Sequence, residues 1–154
     1  MSRLAAVAAL APDLMVTATL VVETRGQGFF EITKDVQNFV SSSGAGDGIL
    51  FMFIRHTSAS LVIQENADPD VRTDLGTALD RLAPADARWV HDVEGPDDMP
   101  AHVKTMLTGV WLHVPVRAGR LALGSWQGVY VAEHRARPHR REVVLHYIGA
   151  QRGG

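Results

Sequence analysis

A chain of 154 residues carrying 15 Lys and Arg against 17 Asp and Glu, for a formal charge of −2, is long enough for one domain with a real core. Its basic content is too low for broad nucleic-acid binding. It has no cysteine, which excludes disulfides, thiolate nucleophiles and cysteine zinc sites; any metal must use His, Asp, Glu or water, and a reducing cytoplasm fits.

The first apolar segment, Leu4 to Leu10 after Arg3, falls far short of the roughly 20 residues that span a bilayer. Pro12-Asp13 follows too soon for a secretory leader, so residues 1–14 read as an extension or adherent arm and residues 15–150 as a single domain. Val16, Ala18, Leu20 and Val22 alternate with Thr17, Thr19 and Glu23, the pattern of a half-buried strand. Ile32, Val36, Phe39 and Val40 mark one face of a helix that must end in the glycine-rich stretch from Ser41 to Gly48. The unbroken apolar run Ile49 to Ile54 predicts a strand covered on both faces. It stops at Arg55-His56-Thr57-Ser58, so a histidine stands at the mouth of a buried strand. Leu61-Val62-Ile63 lead through Gln64-Glu65-Asn66 to a second helix, with Asp68 as its cap, Pro69 as its first residue and Val71, Leu75, Ala78, Leu79 and Leu82 as a core-facing stripe.

The segment from His91 to His102 holds two imidazoles and four carboxylates, the densest group of metal-binding and proton-moving side chains in the chain. Asp97 and Asp98 are placed to cap a helix running from about Pro100 to Thr108, with Val103, Met106 and Leu107 inward and Gly109 as terminator. His102 falls on its accessible first turn, and a loop carrying His91 and Glu94 folded over that turn would gather a ligand set. The plainer alternative leaves the aspartates as caps and the histidines on the surface.

Beyond Gly109 the chain turns to strands. Val110 to Val116 and Arg120 to Leu123 flank Ala118-Gly119 as a hairpin, with Pro115 at an edge or irregularity, and further strands span Gly128 to Glu133 and Glu142 to Ile148. Strands gathered in the C-terminal half favour an α+β domain. Gly124-Ser125-Trp126-Gln127-Gly128 places its serine one position too early for a nucleophile elbow. No P-loop, dinucleotide fingerprint or paired helical histidines of a zinc protease is present. Trp126 suits either stacking on a heteroaromatic ring or filling the core, while Gln127 suits orienting such a ring. Arg135, Arg137, Arg140 and Arg141 suit phosphate or plain solvation; His113, His134, His139 and His146 read as structural or exposed.

Four segments together carry a resemblance: His56 to Ala59, Asn66 to Val71, Glu94 to Lys104, and Gly119 to Gly128. They resemble the successive signatures of the YjbQ family, also called the secondary thiamine-phosphate synthase family, over about Met15 to Gly149. Ser58 and Ser125 stand where that family often has threonine, and Asp98 where it often has asparagine. The resemblance implies a compact single α+β domain with a mixed, mostly antiparallel sheet and about three helices, assembled as a homotrimer. It also implies a weak thiamine-phosphate synthase activity joining a pyrimidine pyrophosphate to a thiazole phosphate, hence a small phosphorylated metabolite as partner.

The polar cluster implied by the matched motifs is His56, Asn66, Asp68, His91, Glu94, Asp98, His102, Trp126 and Gln127. Within it we assign His102, Asp98 and Glu94 as catalytic, Asn66, Asp68, Trp126 and Gln127 as substrate-binding, and His56, His91 and His102 as ligands of a divalent metal. Imidazoles favour zinc, whereas the carboxylates alone would favour magnesium. The competing expectations are a metal-dependent hydrolase and a non-catalytic trimeric module for a small metabolite or anion. Neither nucleic acid nor membrane is an expected partner.

Overall fold

The computed structural model describes residues 2, 3, 5 and 7–153; Met1, Leu4 and Ala6 of the expected N-terminal arm lie outside them. Strict alternation over Leu14–Glu23 makes strand β1, with Leu14, Val16, Ala18, Leu20 and Val22 turned inward as their spacing requires. The described residues before it have no regular structure. Asp13 is nevertheless tied to the last strand, its N–H donating to Gly149 O at 3.0 Å and its Oδ1 accepting from Gln151 N at 2.7 Å. There follow β2 (Gly28–Glu31), α1 (Thr33–Ser42), β3 (Ala45–Ile54), β4 (Ala59–Glu65), α2 (Pro69–Leu82), α3 (Asp98–Thr108), β5 (Trp111–Arg117), β6 (Arg120–Leu121), β7 (Gln127–Glu133) and β8 (Arg140–Gln151).

The class is α+β with three helices, as expected, but the strands divide into two antiparallel sheets, ordered β1-β8-β3-β5-β6 and β2-β7-β4. One hydrophobic cluster joins them: Leu50, Met52 and Ile54 of β3, Val143, Leu145 and Tyr147 of β8, Leu61 of β4, Val129 and Val131 of β7, and Val36 and Val40 of α1. The β5–β6 hairpin turns at Ala118-Gly119, both with positive φ (49° and 73°), the two-residue turn whose twist matches its flanking strands. Because β6 covers only the end of β5, Pro115 lies where β5 is nearly an edge, so its missing N–H is tolerated.

Three burial expectations are corrected. The Ile49 to Ile54 run is not covered on both faces: Leu50, Met52 and Ile54 are buried, while Ile49, Phe51 and Phe53 are 40%, 43% and 49% exposed. The core cluster covers one face of this sheet, and the outer face of β3 stays apolar. The α2 stripe does not reach the core. None of its residues is buried, because the helix packs only lightly on α3, β2 and β4. In α3 the expected inward residues Met106 and Leu107 point out, Met106 being 80% exposed. The buried face instead carries Asp98, Ala101, Lys104 and Thr105. Polar partners decide this rotation: Lys104 Nζ donates to Asp80 Oδ1 of α2 at 2.5 Å, and Asp98 is held from below. A buried charge left without its partner would cost more than exposing a methionine.

Under α3 sits a buried imidazole, His134, whose Nε2 lies 2.7 Å from Ser60 Oγ; Ser60 in turn meets Thr108 Oγ1 at 2.5 Å. Burial, then the Lys104 ammonium, pushes its pKa down to about 4. The folded state therefore resists taking a proton that the unfolded chain accepts near pH 6.5. Stability from this residue is complete above pH 6.5 and is lost as pH falls toward 4, by roughly 3 kcal/mol in all. Urea unfolding at pH 7 and pH 4.5 should show a smaller drop in midpoint for His134→Gln than for the unchanged protein. Equal drops would assign acid sensitivity to the carboxylates alone.

Candidate functional site

Asp98 begins α3 and His102 follows four residues later, so one helical face presents both side chains. The preceding loop brings His91 to the same place through a turn at Gly95, whose φ of 110° disfavours any other residue. His91 Nε2 lies 2.7 Å and His102 Nε2 3.4 Å from the same oxygen, Asp98 Oδ2. One ligand atom from each residue falls within 4.8 Å of the others, and the two rings are 5.5 Å apart. His102 Nδ1 is 2.8 Å from the carbonyl oxygen of Thr57. A carbonyl only accepts, so Nδ1 carries a proton and Nε2, directed toward Asp98, is the nitrogen left to ligate a metal.

The expected capping role of Asp97 and Asp98 is not what the structure shows, for neither side chain caps α3. Both turn to Arg135, just after β7. Its guanidinium binds Asp98 Oδ1 and, through Nε at 3.1 Å, Asp97 Oδ2; its Nη2 donates to Glu94 O at 2.9 Å. Ala136 N–H also donates to Asp97 Oδ2, at 2.8 Å. Burial alone would raise the Asp97 pKa, yet the hydrogen bonds from Ala136 and Arg135 prevail and lower it. The Asp98 side chain is only 3% exposed, so it does not lie at an accessible helix start as expected.

The donor set suits a divalent ion: two imidazole nitrogens and one carboxylate oxygen, with the exposed His91 side leaving room for water or substrate. Zinc bonds of about 2.0–2.1 Å place tetrahedral donors roughly 3.3 Å apart. His91 Nε2, at 2.7 Å from Asp98 Oδ2, would have to retreat by about 0.6 Å, and the two imidazole nitrogens, within 4.8 Å of each other, to settle at that same spacing. Two nitrogen donors fit zinc better than magnesium.

His56 stands apart from this trio. Its Nε2 accepts from Glu142 N–H at 2.9 Å, and burial followed by the Arg141 charge lowers its pKa. It shares with His102 a cavity of about 890 Å³, also lined by Arg55, Thr57, Phe53 and Trp111. Glu94 contributes its backbone carbonyl to Arg135, while its exposed carboxylate is 3.8 Å from that guanidinium. Asn66, Asp68, Trp126 and Gln127 gather elsewhere, at the far end of β4, roughly 20 Å away by the rise of its seven residues. Asp68 caps α2 by accepting from Asp70 N at 2.9 Å, as expected. Asn66 N donates to Trp126 O at 3.0 Å and Gln127 Oε1 accepts from Gly124 N at 2.8 Å. Trp126 is 67% exposed and so does not fill the core; it borders a cavity of about 470 Å³ with Glu65 and Gln127.

Of the arginines read as phosphate candidates, Arg135 is taken up by the acidic loop, and Arg141 is buried against Glu133 with Nη2 also donating to Ser58 Oγ at 3.0 Å. The role of Arg135 had one signal in the sequence: two adjacent aspartates at a helix start call for a cation if the fold covers either of them, as it does Asp98. Nothing in that signal identifies which arginine supplies it.

The model of the family described as UPF0047 protein YjbQ-like matches residues 18–150. A UPF0047 protein of Synechocystis is 50% identical over 131 residues, covering 84% of this chain and 89% of its own. The UPF0047 protein YjbQ of Salmonella typhimurium is 40% identical, covering 82% and 92%. Among solved structures, a conserved hypothetical protein of Thermus thermophilus superposes with a TM-score of 0.74 at 41% identity, over 82% of this chain and 97% of its own. A hypothetical protein of Aeropyrum pernix reaches 0.80 at 28% identity, over 87% and 98%.

Proposed function

The chain belongs to the UPF0047 YjbQ-like family, and from that premise we propose that it is a divalent-metal transferase for small phosphorylated metabolites, of the type that joins a pyrimidine pyrophosphate to a thiazole phosphate. The observation that carries this reading is the convergence of His91 Nε2, Asp98 Oδ2 and His102 Nε2 within 4.8 Å. When bound, zinc would supply positive charge where the leaving pyrophosphate becomes more negative. The chain does the positioning. Thr57 fixes the His102 tautomer, Arg135 holds Asp98, and the adjoining cavity offers Trp111 and Phe53 as apolar walls with Arg55 among its lining. Trp111 is already stacked on His113 at 5.7 Å, which holds its ring for contact with a planar group.

Assembly as a homotrimer belongs to the same proposal. Ile49, Phe51, Phe53 and Trp111 form an apolar outer face beside the cavity, a surface that association would hide. Light scattering at micromolar concentration should report three chains, and a monomeric mass would remove this part of the reading. The location that belongs to this proposal is the cytoplasm, with which a chain lacking cysteine is compatible. No helix among the described residues is long and apolar enough to cross a membrane.

The enzymatic reading is tested by supplying the two phosphorylated precursors with zinc and measuring thiamine phosphate. Synthesis that stops on chelation and returns with zinc is the expected result. Release of free phosphate from model esters without synthesis would favour the metal-dependent hydrolase, since three protein ligands with an open position also suit an activated water. Metabolite binding without turnover of either kind would leave a binding module.

A further inference from the structure

We propose that Arg135 is a positioning residue that makes Asp98 a one-oxygen ligand and thereby sets both the affinity and the coordination number of the metal. This rests on the metal reading above but adds to it a residue that touches neither metal nor substrate. The two oxygens of Asp98 have different neighbours: Oδ1 is bound by Arg135 Nη1, and Oδ2 alone faces His91 and His102. A free carboxylate can offer both oxygens to an ion and turn about its last torsion. This one cannot turn without breaking its contact with a guanidinium that is itself fixed at two further points, Asp97 Oδ2 at 3.1 Å and Glu94 O at 2.9 Å, on a residue whose backbone N–H donates to Glu133 Oε1 at 3.0 Å.

The rigid planar fork of arginine explains why the group is not a lysine. One ammonium is a point charge and cannot hold Asp98, Asp97 and the Glu94 carbonyl in a fixed relation. The same fork fastens the loop that carries His91, because Glu94 and Asp97, both of which it holds, flank the turn leading from His91 into α3. Arg135 thus orients two of the three ligands. With Oδ1 blocked, the donors are two nitrogens and one oxygen, and one water completes a four-coordinate site of the kind zinc prefers.

The test uses the full chain, with zinc affinity measured by competition against a chelating dye and coordination read from the visible absorption of bound cobalt(II). A four-coordinate cobalt site absorbs more strongly than a five- or six-coordinate one, because added ligands bring it closer to centrosymmetry. In the unchanged protein we expect a strong band. In Arg135→Lys and Arg135→Gln the band should weaken as Asp98 becomes free to offer both oxygens, and zinc affinity should fall by about 10–100-fold, the usual cost of losing a partner that orients a ligand. Asp97→Asn, which leaves all three ligands and Arg135 in place but loosens one arm of the fork, should move both readouts the same way by less. It carries the test if the Arg135 variants do not fold. Folded variants with unchanged affinity and spectrum would overturn the proposal, whatever their melting temperatures. Failure of the unchanged protein to bind either ion would overturn the metal reading itself, which is a separate result.

Discussion

His102→Ala should abolish tight zinc binding while leaving the protein folded, with affinity reduced at least about 100-fold and stability changed by no more than about 1 kcal/mol. The side chain is partly exposed, and its one hydrogen bond is to the Thr57 carbonyl, which water can satisfy in its place. Asp98→Ala should behave differently. It removes a ligand too, but it also strips the partner of Arg135 Nη1 from a site only 3% exposed at the aspartate, at a cost of roughly 2–3 kcal/mol for a lost charged hydrogen bond. Calorimetric titration with zinc beside urea unfolding separates the two effects. If His102→Ala binds zinc as tightly as the unchanged protein, the trio is a hydrogen-bonded cluster and not a metal site.

The largest loss of stability is expected at Glu133. Its carboxylate is buried at the end of β7 and receives Arg141 Nε at 2.7 Å and Nη2 at 2.5 Å, Thr24 Oγ1 at 2.8 Å and Arg135 N at 3.0 Å. Burial would raise its pKa, but the hydrogen bonds led by Arg141 outweigh it, and the pKa is lowered. Glu133→Ala strands a buried guanidinium and should cost about 3–5 kcal/mol. Replacing Glu133 by Met and Arg141 by Leu together should recover most of that loss, since the remaining charge is removed with its partner. Chemical denaturation of the single and double variants checks this. A double variant no more stable than Glu133→Ala would mean that Thr24 and the Arg135 amide, not the ion pair, dominate.

Strand and helix positions were legible where burial is periodic. Val16 to Val22 alternate because one face of β1 meets the core, and the Asp68-Pro69 start of α2 needs only local capping to be recognised. β2 was not foreseen: its four residues are too few to show a period. Apolar content also misled. Phe51, Phe53 and Met106 are hydrophobic on faces that this single chain leaves open, and composition cannot say whether a covering surface comes from the same chain. For the site, the spacing of Asp98 and His102 forced them onto one helical face, and the density of ligands from His91 onward marked the loop. What spacing could not supply was distance across the fold. His56 and the Asn66 and Trp126 group are brought near by motif order but held apart by the length and direction of β4, and Arg135 reaches the site from the end of β7.

The order β1-β8-β3-β5-β6 puts residues 140–151 inside the larger sheet, between β1 and β3. Both neighbours of that strand are made more than 80 residues earlier, β1 ending at Glu23 and β3 at Ile54. Until β8 is made each keeps an unpaired edge, so β1 cannot join β3 and its partners before residues 140–151 are available. Contacts of such sequence separation give slow folding, because the loop must be ordered before any pairing rewards it. Before β8 is in place the unpaired edges of β1 and β3 stay exposed, the state in which a holding chaperone has most to offer.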